Sequence, residues 1–158
     1  MDARLLALAV AVAASGAFAS VSPAQMQQVA PDVKNLKLTP VAFKPLPAGG
    51  PVVVKGGALV AFDLRDGAQV TFTFRSVSYG KKAGGSCKPG KARTKAKRCE
   101  ILTVVPGSML YVAFSGHNEF RFSGRPESQP LKPGTYRLVG KASGTAARSS
   151  SVVFKILK

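Results

Sequence analysis

Acidic residues are scarce in this chain: 7 Asp and Glu stand against 23 Lys and Arg among 158 residues, with one histidine and two cysteines. Each shortage removes a class of chemistry. A zinc site takes about four ligands, and His117 is the single histidine. A glycosidase needs two carboxylates facing each other across a cleft. Asp63 and Asp66 flank a turn, where Asp is expected for backbone reasons, and Glu100 and Glu119 fall near the ends of apolar-alternating runs. Asp32 and Glu127 stand apart from these. No Gly-x-Ser-x-Gly elbow exists, so a serine hydrolase would depend on His117, which lies in the turn-like Ser-Gly-His-Asn-Glu run. The acids show no EF-hand spacing, and Cys-x-x-Cys is absent. We therefore expect no catalytic residues, no metal and no cofactor.

Long apolar runs are equally scarce. The one at the start, Leu5 to Ala14, is preceded by Arg4 and followed by Ala17-Phe18-Ala19. It spans about half the length a bilayer helix needs, and its small-residue flank suits a signal peptidase. Residues 1–19 are expected to be a signal peptide cut between Ala19 and Ser20, with Ala17 at the second inspected position. Residues 20–32, polar and Gln-rich, are expected to be a flexible leader to a domain at 33–158. Removing residues 1–19 takes one base and one acid, so the remainder keeps the full chain's net charge of +16. Its expected location is extracellular or cell-wall-associated, with no transmembrane segment after cleavage. In that compartment Cys87 and Cys99 are expected to form a disulfide, worth roughly 3 kcal/mol by the loop-entropy argument.

The periodicity of the remainder is two rather than 3.6. Val70, Phe72 and Phe74 alternate with Thr71, Thr73 and Arg75; Phe120 and Phe122, Tyr136 and Leu138, and Val152, Phe154 and Ile156 repeat the pattern. Alternation of this kind buries one face of a strand. Runs near 33–39, 57–64, 68–79, 99–105, 109–114, 117–123, 135–143 and 150–157 give seven or eight strands. The predicted class is all-β, a two-sheet antiparallel sandwich. Asp66-Gly67 is expected to close a tight hairpin between 57–64 and 68–79. Pro106-Gly107 and Lys132-Pro133-Gly134 mark further reversals, and the Pro-rich 40–51 stretch an irregular or edge connection.

Between the cysteines, Lys88 to Arg98 (KPGKARTKAKR) holds six bases and no acid. With Lys81 and Lys82 upstream, eight bases (Lys81, Lys82, Lys88, Lys91, Arg93, Lys95, Lys97, Arg98) fall within 18 positions. Unpaired charges resist burial, so this stretch is expected to be a solvated loop whose ends the disulfide staples. Its bases could engage anionic wall polymer, acidic glycan or extracellular DNA; the other reading is a loop that merely keeps the protein soluble. Base-stacking aromatics are absent from 81–98, so specific nucleic-acid recognition is not expected.

Leu131-Lys-Pro133-Gly134-Thr-Tyr136-Arg-Leu138 resembles the tyrosine corner of immunoglobulin-like and fibronectin type III sandwiches. Together with Val70-Thr-Phe-Thr-Phe, the Cys-bounded basic loop, Phe120-Arg-Phe-Ser-Gly-Arg125 and the closing Phe154-Lys-Ile, it resembles the secreted immunoglobulin-like modules of high-GC Gram-positive bacteria. The resemblance implies an exported, non-catalytic sandwich acting as a surface binding or adhesion module. A structural spacer or accessory subunit held by a surface protein partner is the remaining alternative.

Overall fold

The structure, a computed structural model, describes residues 32–47, 56–144 and 147–158, except the side chains of Ala96 and Ser128. The expected signal peptide with its expected cleavage residues Ala17, Ala19 and Ser20, and the expected leader up to residue 31, lie outside the described residues. At the boundary, the Asp32 carboxylate accepts a hydrogen bond from the Arg148 N–H at 2.7 Å.

The chain is all-β. The strands are β1 (Lys34–Thr39), β2 (Ala42–Phe43), β3 (Ala58–Leu64), β4 (Ala68–Ala83), β5 (Ser86–Pro89), β6 (Arg98–Ala113), β7 (Gly116–Phe122), β8 (Gly134–Ala142) and β9 (Ser149–Ile156). Two short 3-10 turns, Lys95–Lys97 and Pro126–Ser128, are the helical pieces among the described residues. One sheet has the order β1-β3-β7; the other runs β2-β9-β8-β4-β5, with β6 also paired to β4.

The two sheets bury their alternating apolar faces against each other. Val60, Phe62 and Leu64 of β3 and Phe122 of β7 face Val70, Phe72 and Phe74 of β4, Leu138 of β8 and Phe154 and Ile156 of β9, and all are buried. Phe62 meets Phe72 edge-on at 5.4 Å between ring centroids, and Phe122 stacks on Phe74 at 4.9 Å. Gly140 leaves room for the Phe72 ring: a Cβ there would lie 2.7 Å from Phe72 Cε1. Aromatic pairs at these separations add to the stabilisation from burial alone.

Five expectations need correction. Asp66-Gly67 does not close a hairpin: β3 pairs with β1 and β7 while β4 pairs with β6, β8 and β5, so this turn carries the chain from one sheet to the other. Facing each other across the core, Phe62 and Phe72 bury both strands' apolar faces, which a two-residue turn cannot foretell. The runs at 99–105 and 109–114 are one strand, β6, and the register shift opposite Thr73–Phe74 absorbs Pro106-Gly107 as an irregularity. An edge strand tolerates this because the N–H that proline lacks is not needed on the open side. The sandwich is not wholly antiparallel, since Ala42 and Phe43 pair in parallel with Lys155 and Ile156. The basic stretch is not all loop, because β4 continues to Ala83, turns at Gly84-Gly85 and returns as β5. Both glycines take positive φ, 57° and 78°, as a tight reversal requires. With the two short strands β2 and β5, the described residues hold nine strands rather than seven or eight.

Candidate functional site: a stapled basic hairpin

Beyond Ser76, which pairs with Tyr136 near the start of β8, β4 leaves the sandwich. It continues with β6 alone as far as Lys81 opposite Arg98, joined by β5 from Gly80 onward. The result is an arm. Gly80 is buried at its base, and a Cβ at that position would overlap the Lys88 carbonyl, so glycine lets β5 lie close against β4. Cys87, opposite Lys82, and Cys99, opposite Gly80, are joined by a disulfide with their Cα atoms 5.9 Å apart. The bridge thus ties together the two strands that flank the end of β4.

Gly90 to Lys95 lie beside Tyr79 and Gly80 of the ladder. Lys91, Arg93, Lys95 and Arg98 line one concavity of about 660 Å³ with Tyr79 and Thr94. A smaller one of about 340 Å³ adjoins it between Lys95, Arg98 and Glu100. The Arg98 guanidinium lies 3.6 Å from the centroid of the Tyr79 ring, close enough for a cation–π contact that fixes its fork. Among the described residues no carboxylate pairs with Lys91, Arg93, Lys95 or Arg98: Glu100 is engaged by Arg137 at 2.6 Å. Four cations around one concavity with no carboxylate paired to them among the described residues raise the local potential and favour an anion that bridges them.

The eight bases singled out in the sequence divide. Lys91, Arg93, Lys95 and Arg98 are brought together. Lys82 lines a separate concavity of about 370 Å³ with Gly84 to Cys87. Lys81 and Lys88 sit directly opposite each other on β4 and β5, and Lys97 lies in the 3-10 turn outside the shared lining. Sequence reasoning missed Tyr79. It closes the outward-facing set Arg75, Val77 and Tyr79 of β4, and its 48 % exposure is the sign that it belongs to a surface rather than to the core. A tyrosine on the polar face of a strand that feeds a basic run is the signal that could have found it.

The remaining acidic groups are dispersed. Asp63 accepts from the Asn35 side chain at 2.6 Å and lies 2.9 Å from His117 Nδ1, and these two contacts, Asn35 first, hold its carboxyl below the ordinary value. Glu127 accepts from the Ser108 N–H at 2.9 Å, and Asp66 lies 3.4 Å from Arg65. Among the described residues no three His, Cys, Asp or Glu side chains gather as a metal site, and no helix is long and apolar enough to cross a membrane.

At the other structural motif, Leu131 is buried, Lys132-Pro133-Gly134 leads into β8, and Tyr136 is 7 % exposed. Its hydroxyl donates to the Lys132 carbonyl at 2.8 Å, and burial pushes its pKa above the ordinary 10.0. The ring stacks on Phe154 at 5.7 Å, locking the start of β8 onto β9.

Architecture and arm define an all-β, two-sheet protein that carries one disulfide-stapled cationic hairpin. No protein-family model matches the chain, and neither a curated protein nor a solved structure does.

Proposed function

We propose that this protein is a secreted, non-catalytic binding module of the immunoglobulin-like or fibronectin type III-like kind, whose stapled basic hairpin binds anionic polymer at the cell surface. The observation that carries the reading is the gathering of Lys91, Arg93, Lys95 and Arg98 around one concavity that Tyr79 also lines, with no carboxylate paired to them among the described residues. The immunoglobulin-like assignment is supported by the Tyr136 hydroxyl bonded to backbone four residues upstream. Export is supported by the Cys87–Cys99 disulfide. Fold alone does not imply a ligand; the polymer class follows from charge. Wall polymers and acidic glycans repeat an anion along a chain, so a concavity open to solvent takes them without enclosing an end.

Local concentration of charge and mere net charge are separable. Changing Lys91, Arg93, Lys95 and Arg98 to Gln lowers the charge by four, and so does changing the exposed Lys34, Lys37, Lys44 and Lys141. On heparin and on purified cell wall, the first variant is expected to elute at much lower salt than the parent, the second close to it. Equal losses in the two variants would reduce the hairpin to one part of a diffuse basic surface and refute the proposal.

A further inference from the structure

β6 is the edge of its sheet. It pairs with β4 on one side, and among the described residues no strand pairs with the other. Leu110 and Val112 alternate onto its solvent face, 65 and 70 % exposed, and Phe114 just past its end is 74 % exposed. The segment Ser108 to Phe114 (SMLYVAF) carries no charge, proline or glycine, in a chain of net charge +16. Sheet edges are ordinarily blunted by charge, proline or bulges. Pro106 and the adjoining register shift blunt the middle of β6 and leave this segment bare.

Its two ends are finished and its centre is open. The Ser108 N–H donates to Glu127 Oε1 at 2.9 Å, and Glu127 holds a left-handed conformation, φ 45°, where it does so. At the other end the buried Asn118 amide acts as a short strand partner. The Phe114 N–H donates to Asn118 Oδ1 at 2.8 Å, and Asn118 Nδ2 donates to the Phe114 carbonyl at 2.8 Å. Alternate residues of a strand direct their backbone groups to the same side. Leu110 and Val112, which share the parity of Ser108 and Phe114, therefore direct theirs away from β4.

We propose that this edge pairs antiparallel with β6 of a second copy about a two-fold axis through Tyr111. In that register Leu110 of each copy lies opposite Val112 of the other, and the pair exchanges both backbone hydrogen bonds twice over. The exposed apolar side chains then share one face, so the segment complements itself, as a two-fold contact demands. An acidic or basic partner strand would find no charge on these seven residues to recognise. Net charge opposes self-association in general, but this arrangement evades it. Arg98 is thirteen residues from Tyr111, about 43 Å along the strand, and antiparallel pairing sends the two basic hairpins to opposite ends. Their separation is many times the ~8 Å screening length at physiological salt. The dimer is independent of what the hairpin binds.

The test is sedimentation equilibrium of purified, nuclease-treated protein across a concentration series, combined with amide exchange. The expected result is a monomer–dimer equilibrium in which exchange at Leu110 and Val112 slows as concentration rises. Val112→Lys is expected to raise the dimer dissociation constant more than tenfold. Val153→Lys, the same change on the exposed face of β9, is expected to leave it unaltered. Far-UV circular dichroism checks that both variants fold. A monomer at every concentration overturns the proposal, and so does a dimer that Val112→Lys leaves intact. If Val112→Lys fails to fold, exchange in the parent protein decides alone: Leu110 and Val112 amides indifferent to concentration overturn it.

Discussion

Replacing Cys87 and Cys99 together by Ala is expected to melt the arm while leaving the sandwich folded. The bridge closes a loop between residues 12 apart, and releasing it returns roughly 3 kcal/mol of conformational freedom to any state in which the loop is open. What resists opening is weak. From Val77 to Leu102, among the described side chains, no apolar one is buried or packs against the core. The arm is held by its backbone ladder and by contacts such as Arg98 over Tyr79. Ordering a residue costs about 1–2 kcal/mol of backbone entropy, and a hydrogen bond contributes a net ~0.5–1.5 kcal/mol, so a ladder without apolar burial roughly breaks even. Losing the staple then tips the arm open. Global stability can fall only by the free energy that held the arm closed, which is less than the full ~3 kcal/mol. Amide exchange should show residues 80–83, 86–88 and 98–101 losing protection while Phe72, Phe122 and Phe154 keep theirs, and chemical denaturation should show the smaller loss. Arm amides still protected to the level of the core, with the full ~3 kcal/mol lost globally, would refute the reasoning and make the arm part of the cooperative unit.

Two further outcomes follow from single groups. Tyr136→Phe removes the bond to the Lys132 carbonyl and keeps the ring on Phe154; it should cost about 1 kcal/mol, read as a lower denaturant midpoint with unchanged slope and unchanged heparin retention. Asp63, held below its ordinary 3.8 by Asn35 and His117, contributes stability that is fully present above that value and is lost as pH falls through the lower folded value. The melting temperatures of the parent and Asp63→Asn should therefore differ at neutral pH and converge on acidification below pH ~3.8.

Much of the fold was legible because a buried strand face writes itself into the sequence at every second residue. Val70, Phe72 and Phe74, or Val152, Phe154 and Ile156, declare which face is inside whatever strand lies beside them. Strand partners are not written this way. Asp66-Gly67 is compatible with a hairpin, and only the packing of Phe62 against Phe72 makes it a crossing between sheets. Pro106-Gly107 reads as a stop, and only its place on an edge strand lets β6 run through it.

The site divides along the same line. A dense run of bases between two cysteines is plain in the chain before it folds, because charge and composition are local properties that no fold can remove. Which of those bases share a concavity depends on the folded chain. Lys91, Arg93, Lys95 and Arg98 converge while Lys82 faces elsewhere, because the twist of the β4–β6 ladder and the return of β5 set direction, and both depend on strands far apart in the chain. Tyr79 and the bare stretch of β6 were hidden for the same reason. A tyrosine or a leucine becomes a surface feature only when the element that would have covered it pairs somewhere else.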